Sequence, residues 1–557
     1  MARTLLLTTF LVLCIPALLA PWLPAACAQS QSTREPDDSS ASTAQANVPI
    51  TRVRGIIDRE TTWSGHVMII DDVTIIGTTV RVAPGTLIEF ANADRSPLLS
   101  IGSRKGDRGE LILNSADGKR ITFTSREGTQ PGRIEFHLWD NSEEYDPKKP
   151  RTTLEIGRAT FRNLGDTGEP TPRDSKATSR PAVESEVASP NANRFGSGHP
   201  AISIMDHGIG SIIRISNCTF ERAAAIHVSG GSAADFRFEN NSIRSPIGPA
   251  GVVIRTAPAE KWESRATISS NRLECPIDLQ CPWFDLSDNV LVGQRAAIVI
   301  RPGASRICKI RNNYIHNTAA MLGGYCLDMQ SPEVVVTENI LIGGADTVYR
   351  GSRFMSGNFI VSADPIDGDL IGVTAERGSP QNVRSLARGA RFERNTLIGF
   401  GAVSLNSKPD SQYSGDSKWD DTMLLDNLFV GTGEGQFAIH TPLFYGGCGN
   451  ASPPGLVVEK NRFIGLQRYN HAGRGLPAGV REGKNSGGER PTHDDPLVRI
   501  EAGRKKGRDL IASLLSHDRS ARIREWDSAL FEEDITPKDL LKKLNEQLAR
   551  DQATTVP

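Results

Sequence analysis

One motif recurs along the middle of this chain and leaves few architectures open. It reads apolar, two residues, Asn, one residue, apolar. Copies are Phe238-Glu-Asn-Asn241-Ser-Ile243, Ile268-Ser-Ser-Asn271-Arg-Leu273, Leu286-Ser-Asp-Asn289-Val-Leu291 and Ile310-Arg-Asn-Asn313-Tyr-Ile315. Val336-Thr-Glu-Asn339-Ile-Leu341, Met355-Ser-Gly-Asn358-Phe-Ile360, Phe392-Glu-Arg-Asn395-Thr-Leu397, Leu424-Leu-Asp-Asn427-Leu-Phe429 and Val458-Glu-Lys-Asn461-Arg-Phe463 follow. Two earlier copies put Ala159 and Cys218 in the Asn place. From Cys218 to Asn461 is 243 residues in nine steps, and the shortest steps are 18 and 19. A fixed motif with a variable spacer means one coil per repeat, with loops of free length.

A coil of about 18 residues at about 3.3 Å each makes a three-sided turn of strand. Stacking sets like residues about 4.8 Å apart. Asn241, Asn271, Asn289, Asn313, Asn339, Asn358, Asn395, Asn427 and Asn461 are then predicted to form a structural ladder. Each amide carries donors and an acceptor and can bond from coil to coil. A leucine-rich solenoid would need a Leu-x-x-Leu-x-Leu frame, and a propeller a Trp-Asp or Gly-His mark; neither is present. Upstream, the stretch from Val73 to Phe90 alternates short β-branched runs with turns, including Val-Ala-Pro-Gly-Thr-Leu-Ile-Glu-Phe90. With the Asn-bearing coils it resembles the right-handed parallel β-helix (pectate-lyase-like) superfamily over about residues 50–470. The resemblance implies an all-β, right-handed parallel β-helix solenoid. That superfamily spans lyases, hydrolases, epimerases, phage tailspikes and adhesins. No cofactor is evident; calcium is implied by the resemblance alone, and the superfamily's Asp-rich calcium cluster has no match here.

The remaining segments order themselves around this solenoid. Residues 1–28 read as a signal peptide: Arg3, an apolar run from Leu5 to Ala20, then small residues at Ala26-Cys27-Ala28. That predicts a secreted, periplasmic or cell-surface location, with no transmembrane span in the mature chain. Residues 29–48 read as a disordered linker. The β-helix is expected over 49–470, with 165–199 an inserted flexible loop rich in Ser, Thr, Pro and Glu. Residues 471–495 read as a linker and 496–557 as a helical C-terminal segment. There Thr536-Pro-Lys-Asp539 starts a helix with a Leu540, Leu541, Leu544, Leu548 stripe. That helix is expected to cap the solenoid's end. Lys plus Arg is 64 against Asp plus Glu 65, a net charge of −1. Such balance argues against a nucleic-acid partner. In an oxidising compartment, Cys275 and Cys281 would be the disulfide pair. No metal site is predicted; His493-Asp494-Asp495 lies in the linker.

Chemistry is placed by the second strand of each coil. Ala225-Ile-His227-Val-Ser229, Gly251-Val-Val-Ile-Arg255, Pro276-Ile-Asp278-Leu-Gln280, Ala297-Ile-Val-Ile-Arg301 and Cys326-Leu-Asp328-Met-Gln330 alternate inside and outside. One outward column runs His227, Val253, Asp278, Val299, Asp328. Its neighbour runs Ser229, Arg255, Gln280, Arg301, Gln330. Asp278 and Asp328 are the candidate catalytic carboxylates. Arg255, Arg301, Gln280, Gln330 and His227 are the candidate substrate contacts. Two coils separate the carboxylates, about 9–10 Å, close to the upper spacing of inverting glycosidases. Arginines beside them suit an acidic sugar. Loops at 256–265, 407–423 and 442–455, with Tyr413, Trp419, Phe444 and Tyr445, could wall a groove. The bland alternative is that outward strand positions are polar anyway and their ion pairs worth little.

Two readings follow. In one, an exported β-helix binds an extracellular polysaccharide and, if an enzyme, cleaves it as a lyase or glycoside hydrolase. In the other, it is a non-catalytic surface or adhesive protein. A groove with converging Asp and Arg favours the first; a flat polar face favours the second.

Overall fold

The computed structural model describes residues 49–554 apart from 115–117, 140–151, 166–198, 225, 233, 247–250, 257–263, 295, 302, 304–305, 319–325, 330–333, 344–348, 351–353, 363–370, 373–389, 400–402, 405–422, 432–436, 441–456, 470–480, 489–496 and 533–534. The expected signal peptide, the linker 29–48, Gln330, His493-Asp494-Asp495 and the loop aromatics lie outside the described residues.

Strands of three to five residues recur because each β-branched run is soon broken by Asn, Asp or Gly. Every described pairing is parallel, and each strand pairs with its counterpart one coil away. Three faces result. The first face holds 12 strands, from Thr153–Gly157 to Arg481–Gly483, and precedes the Asn corner. The second face follows the corner, as in Ser242–Arg244, Arg272–Leu273 and Val290–Gly293. The third face carries Val252–Arg255, Ile277–Gln280, Ile298–Ile300 and Leu327–Met329. Near the N-terminus the second and third faces join through His66–Ile75. Its first half pairs with Leu87–Phe90 and its second with Leu98–Ile101. The chain is a right-handed parallel β-helix with a small helical segment at its C-terminal end.

Inward residues stack in columns. On the second face Phe123, Phe161 and Phe220 lie in register, with ring centroids 5.1 and 4.9 Å apart. One apolar core runs from Trp63 to Leu466.

The corner between the first two faces is a left-handed turn. Ser270, Asp288, Asn312, Glu338, Arg394, Asp426 and Lys460 all have φ between 54 and 58°. Non-glycine residues avoid this region unless neighbouring contacts enforce it. The residue that follows each of them supplies those contacts. Asn313 donates its backbone N–H and its Nδ2 to Asn339 Oδ1, both 2.9 Å, and donates Nδ2 to Leu286 O at 3.0 Å. Its own Oδ1 accepts from Asn289 N and Nδ2, at 3.0 and 2.9 Å. The same set repeats from Asn241, and Asn461 hands it on to Asn485.

One boundary and one placement differ from expectation. The solenoid continues past 470: Arg481–Gly483 and Ser486–Gly487 add a coil with Asn485 at its corner. That part of 471–495 is strand, because Asn485 can still accept from the coil before it. The helices α1 (Leu497–Leu515), α2 (Arg519–Glu532) and α3 (Pro537–Thr554) do not cap the end. They lie on the second face, whose outward residues are apolar. Val290, Tyr314, Ile340, Ile342, Phe359, Val361, Ile398, Leu428 and Val430 pack with Leu510, Leu514, Trp526, Leu530, Leu541 and Leu548. An apolar sheet face needs such cover. Asp527 pins it, accepting from Tyr314 Oη at 2.7 Å and lying 2.9 Å from His316 Nδ1. At the start of α3, Thr536 Oγ1 accepts from Asp539 N while Asp539 Oδ2 accepts from Thr536 N, a reciprocal cap.

The Cys275–Cys281 disulfide is also corrected: both are free and buried. The extended strand Ile277–Gln280 between them spans on the order of 10 Å. A disulfide tolerates a Cα separation of only about 7 Å. Cys281 Sγ instead donates to Trp283 O at 3.2 Å. Burial pushes its thiol up to about 11.

Replacing Asn313 by Leu strands the two Asn289 donors and Leu286 O inside the wall. Urea unfolding should show a loss of about 1–3 kcal/mol. Asn485→Leu, at the partly exposed end of the row, should cost less.

Candidate functional site

The third face carries the polar residues. Its register aligns Ser100, Glu135, Ser203, His227, Val253, Asp278, Val299 and Asp328 in one column. The neighbouring column is His137, Met205, Ser229, Arg255 and Gln280. Arg301 follows one coil on, its N–H donating to Leu279 O at 2.8 Å. Alternate residues Ile277, Leu279, Ile298, Leu327 and Met329 fill the core. Alternation therefore aims the columns outward, and the sequence pattern placed these residues side by side.

The expected exposure is a different matter. Asp278 has no solvent exposure and Asp328 only 2%. Arg301 grips Asp278 as a fork, Nε to Oδ1 and Nη2 to Oδ2, both 2.7 Å. Arg255 Nη2 adds a third bond to Oδ2 at 2.9 Å. Both carboxylate oxygens are therefore held by guanidinium, the strong bidentate form of ion pairing. The Asp278 carboxylate, with the Asp328 charge adding to it, holds Arg301 above its ordinary range. An acid–base catalyst needs an oxygen open to a substrate proton. Asp278 offers none here, so the expected exposure of Asp278 and Asp328 is corrected. Asp278 is the buried anchor of two arginines. Arg255 keeps a partly exposed side chain and Arg301 a smaller share.

A carboxylate ringed by guanidinium does not suit a cation either. Among the described residues no group of three His, Cys, Asp or Glu is placed to hold a metal ion.

His227 is half-buried, and its Nε2 is buried without a hydrogen-bond partner among the described residues. Burial pushes its imidazole below the ordinary range; Arg255 acts in the same direction and Asp278 against it.

A second group on this face lies upstream of the Asn-bearing coils. Glu135, His137 and Trp139 sit on or just after the strand Arg133–Leu138, and His207 on the adjacent strand Ile202–Ile209. The His137 and His207 rings stack at 5.8 Å, and Trp139 and His207 at 4.2 Å. His137 Nε2 lies 3.5 Å from Glu135 Oε2, and Arg104 Nη2 lies 3.9 Å from the same oxygen. The signal was available. Arg133-Ile-Glu135-Phe-His137-Leu-Trp139 alternates as the later strands do, but it precedes the first Asn-bearing copy of the motif.

No family model matches this chain, and no curated protein matches it. Two solved structures show partial likeness. One is the A-module of Azotobacter vinelandii mannuronan C-5 epimerase AlgE6, 10% identical over 80% of this chain and 92% of that one, with a TM-score of 0.22. The other is the AlgE4 A-module from the same organism, 10% identical over 77% and 89%, with a TM-score of 0.20. Likeness at this level bears on neither site nor activity.

Two outcomes test the geometry. Arg301→Ala removes the fork from a buried carboxylate. The loss of stability should be about 3 kcal/mol. Arg255→Ala removes one bond from a more exposed side chain and should cost clearly less. Chemical denaturation of the two variants checks the order. His227 binds protons less readily folded than unfolded, so its contribution to stability is lost as pH falls below about 6.5. The thermal midpoint should drop on acidification, and His227→Gln should shrink that drop.

Proposed function

We propose that this is an exported β-helix protein that binds an acidic extracellular polysaccharide along its third face. One observation carries the reading: eight successive coils present an outward column in which six positions are polar or ionisable, from Ser100 to Asp328. The second face, by contrast, spends its outward positions on helix packing. A polymer lying along the solenoid axis passes over these mostly buried groups and meets the half-buried His227 and the partly exposed arginines beside them, with coils recurring about every 4.8 Å. The guanidiniums that stay partly exposed beside the column, Arg104 and Arg255, set cationic donors over buried acids. Such donors suit the carboxylates of an acidic sugar. The leader-like residues 1–28 support export. Among the described residues no helix is long and apolar enough to cross a membrane.

The adhesive, non-catalytic reading gains from the closed state of Asp278, which removes the acid–base pair on which cleavage rested. Binding is therefore the function that the geometry supports best.

The test is retention of polymers by the immobilised protein. Acidic polysaccharides should be retained at low salt and progressively released as ionic strength rises, and neutral polymers should pass through. Equal retention of both classes, or retention of neither, would overturn the proposal. Appearance of shortened products would reopen catalysis.

A further inference from the structure

We propose that Arg104, His137, His207 and Trp139 form a distinct saccharide subsite at the N-terminal end of the third face, one that takes a carboxylate-bearing sugar ring. The word saccharide rests on the reading above; the site itself rests on its own geometry.

The platform comes first. Trp139 donates Nε1–H to Ser103 O at 2.6 Å, which fixes the indole in its plane. His207 is exposed and lies 4.2 Å from that indole, tilted by 18°. His137 continues the stack at 5.8 Å and 6°. The exposed His207 ring, held against the indole, is the aromatic surface left for the apolar face of a sugar ring, while His137 itself is buried.

The anion receptor comes next. Arg104 rides on a tight turn after Gly102, whose φ is +78°. A Cβ at Gly102 would lie 2.9 Å from both Asp107 O and His137 O, so the turn is packed directly against the His137 strand. The Arg104 side chain is 70% exposed, and its ion pair with Glu135 is a loose one at 3.9 Å. Its fork remains available for bidentate capture of a ligand carboxylate.

The third observation is independent of both. The His137 side chain is only 2% exposed, yet its Nδ1 has no hydrogen-bond partner among the described residues. A buried polar atom left unpaired is costly, and a ligand group or water that served it would recover that cost.

The charged groups around the imidazoles fix the direction of pH dependence. Glu135 faces His137 from its own strand, and Arg104 approaches from the turn. Asp107 in that turn is engaged with Ser103 Oγ, and Asp206 Oδ1 with Gly208 N and Ser211 Oγ. Burial first, then Arg104, hold His207 below its ordinary range. Burial also dominates at His137, against the opposing pull of Glu135. Both rings are therefore neutral at neutral pH. A bound carboxylate favours their protonated forms, so binding takes up protons and tightens as pH falls.

The probe is trigalacturonate, with cellotriose as its neutral counterpart. Binding is followed by indole fluorescence and by the imidazole NMR signals of the full-length protein. Trigalacturonate should bind about tenfold more tightly near pH 5 than near pH 8. It should shift the His137 and His207 signals, and cellotriose should do neither. Arg104→Ala, a change at an exposed side chain, should abolish binding, and Trp139→Phe should remove the fluorescence response. Binding indifferent to pH, or unchanged in Arg104→Ala and His207→Ala, overturns the subsite. If acidic polymer is retained equally by the wild type and Arg104→Ala, the subsite falls and the polymer-binding face stands. If the trisaccharide shifts the imidazoles but no polymer is retained, the reverse holds.

Discussion

Every coil of this protein must turn a sharp corner, and the asparagine amide makes that corner affordable. The turn forces a left-handed residue, often one as bulky as Arg394 or Lys460. It also leaves backbone N–H and C=O groups inside the wall. One side chain answers both needs: its oxygen accepts two N–H groups from the coil before, and its nitrogen donates back to that coil's carbonyl and on to the next amide. The faces, the core columns and the placement of every outward residue depend on this corner recurring at the same point of each coil. Spacer length is free because extra residues can leave the coil between strands whose register is kept.

With the corner in place, the three faces divide their work. The first precedes the turn and carries exposed ion pairs such as Arg311 with Asp285. The second turns apolar residues outward and buries them under three helices. The third keeps its polar residues in file. That division follows from composition at alternate positions: Val290, Ile340 and Phe359 on one face, Glu135, His227 and Asp278 on another.

How much could be read in advance depends on whether a feature is local. The repeat, the three-sided coil and the columns through Asp278 follow from short-range period and stacking, so they are legible residue by residue. The state of Asp278 is not. Arg255 and Arg301 come from the coils on either side, and whether they point toward solvent or fold back onto the carboxylate is a matter of side-chain packing that alternation leaves open. Cys275 and Cys281 mislead for a related reason: six positions apart looks close in sequence, but a strand is the longest way to spend six residues. The Glu135–His137–His207–Trp139 group escaped because it sits upstream of the motif used to set the frame, and because its members meet across adjacent strands separated by a long insertion. The resting place of the helices needed the outward residues of the second face to be read as a surface rather than as strands.

The cover on that face has a consequence for how the molecule comes into being. The strands from Val290 to Val430 are synthesised well before α1, α2 and α3, so a growing chain displays a long apolar strip for as long as it takes to make the intervening residues. Coils can stack on one another as they emerge, since each needs only its neighbour. The strip cannot be quenched that way. Until the last helix is made, the stacked coils carry one uncovered apolar side, the kind of transiently exposed surface through which nascent chains associate with one another.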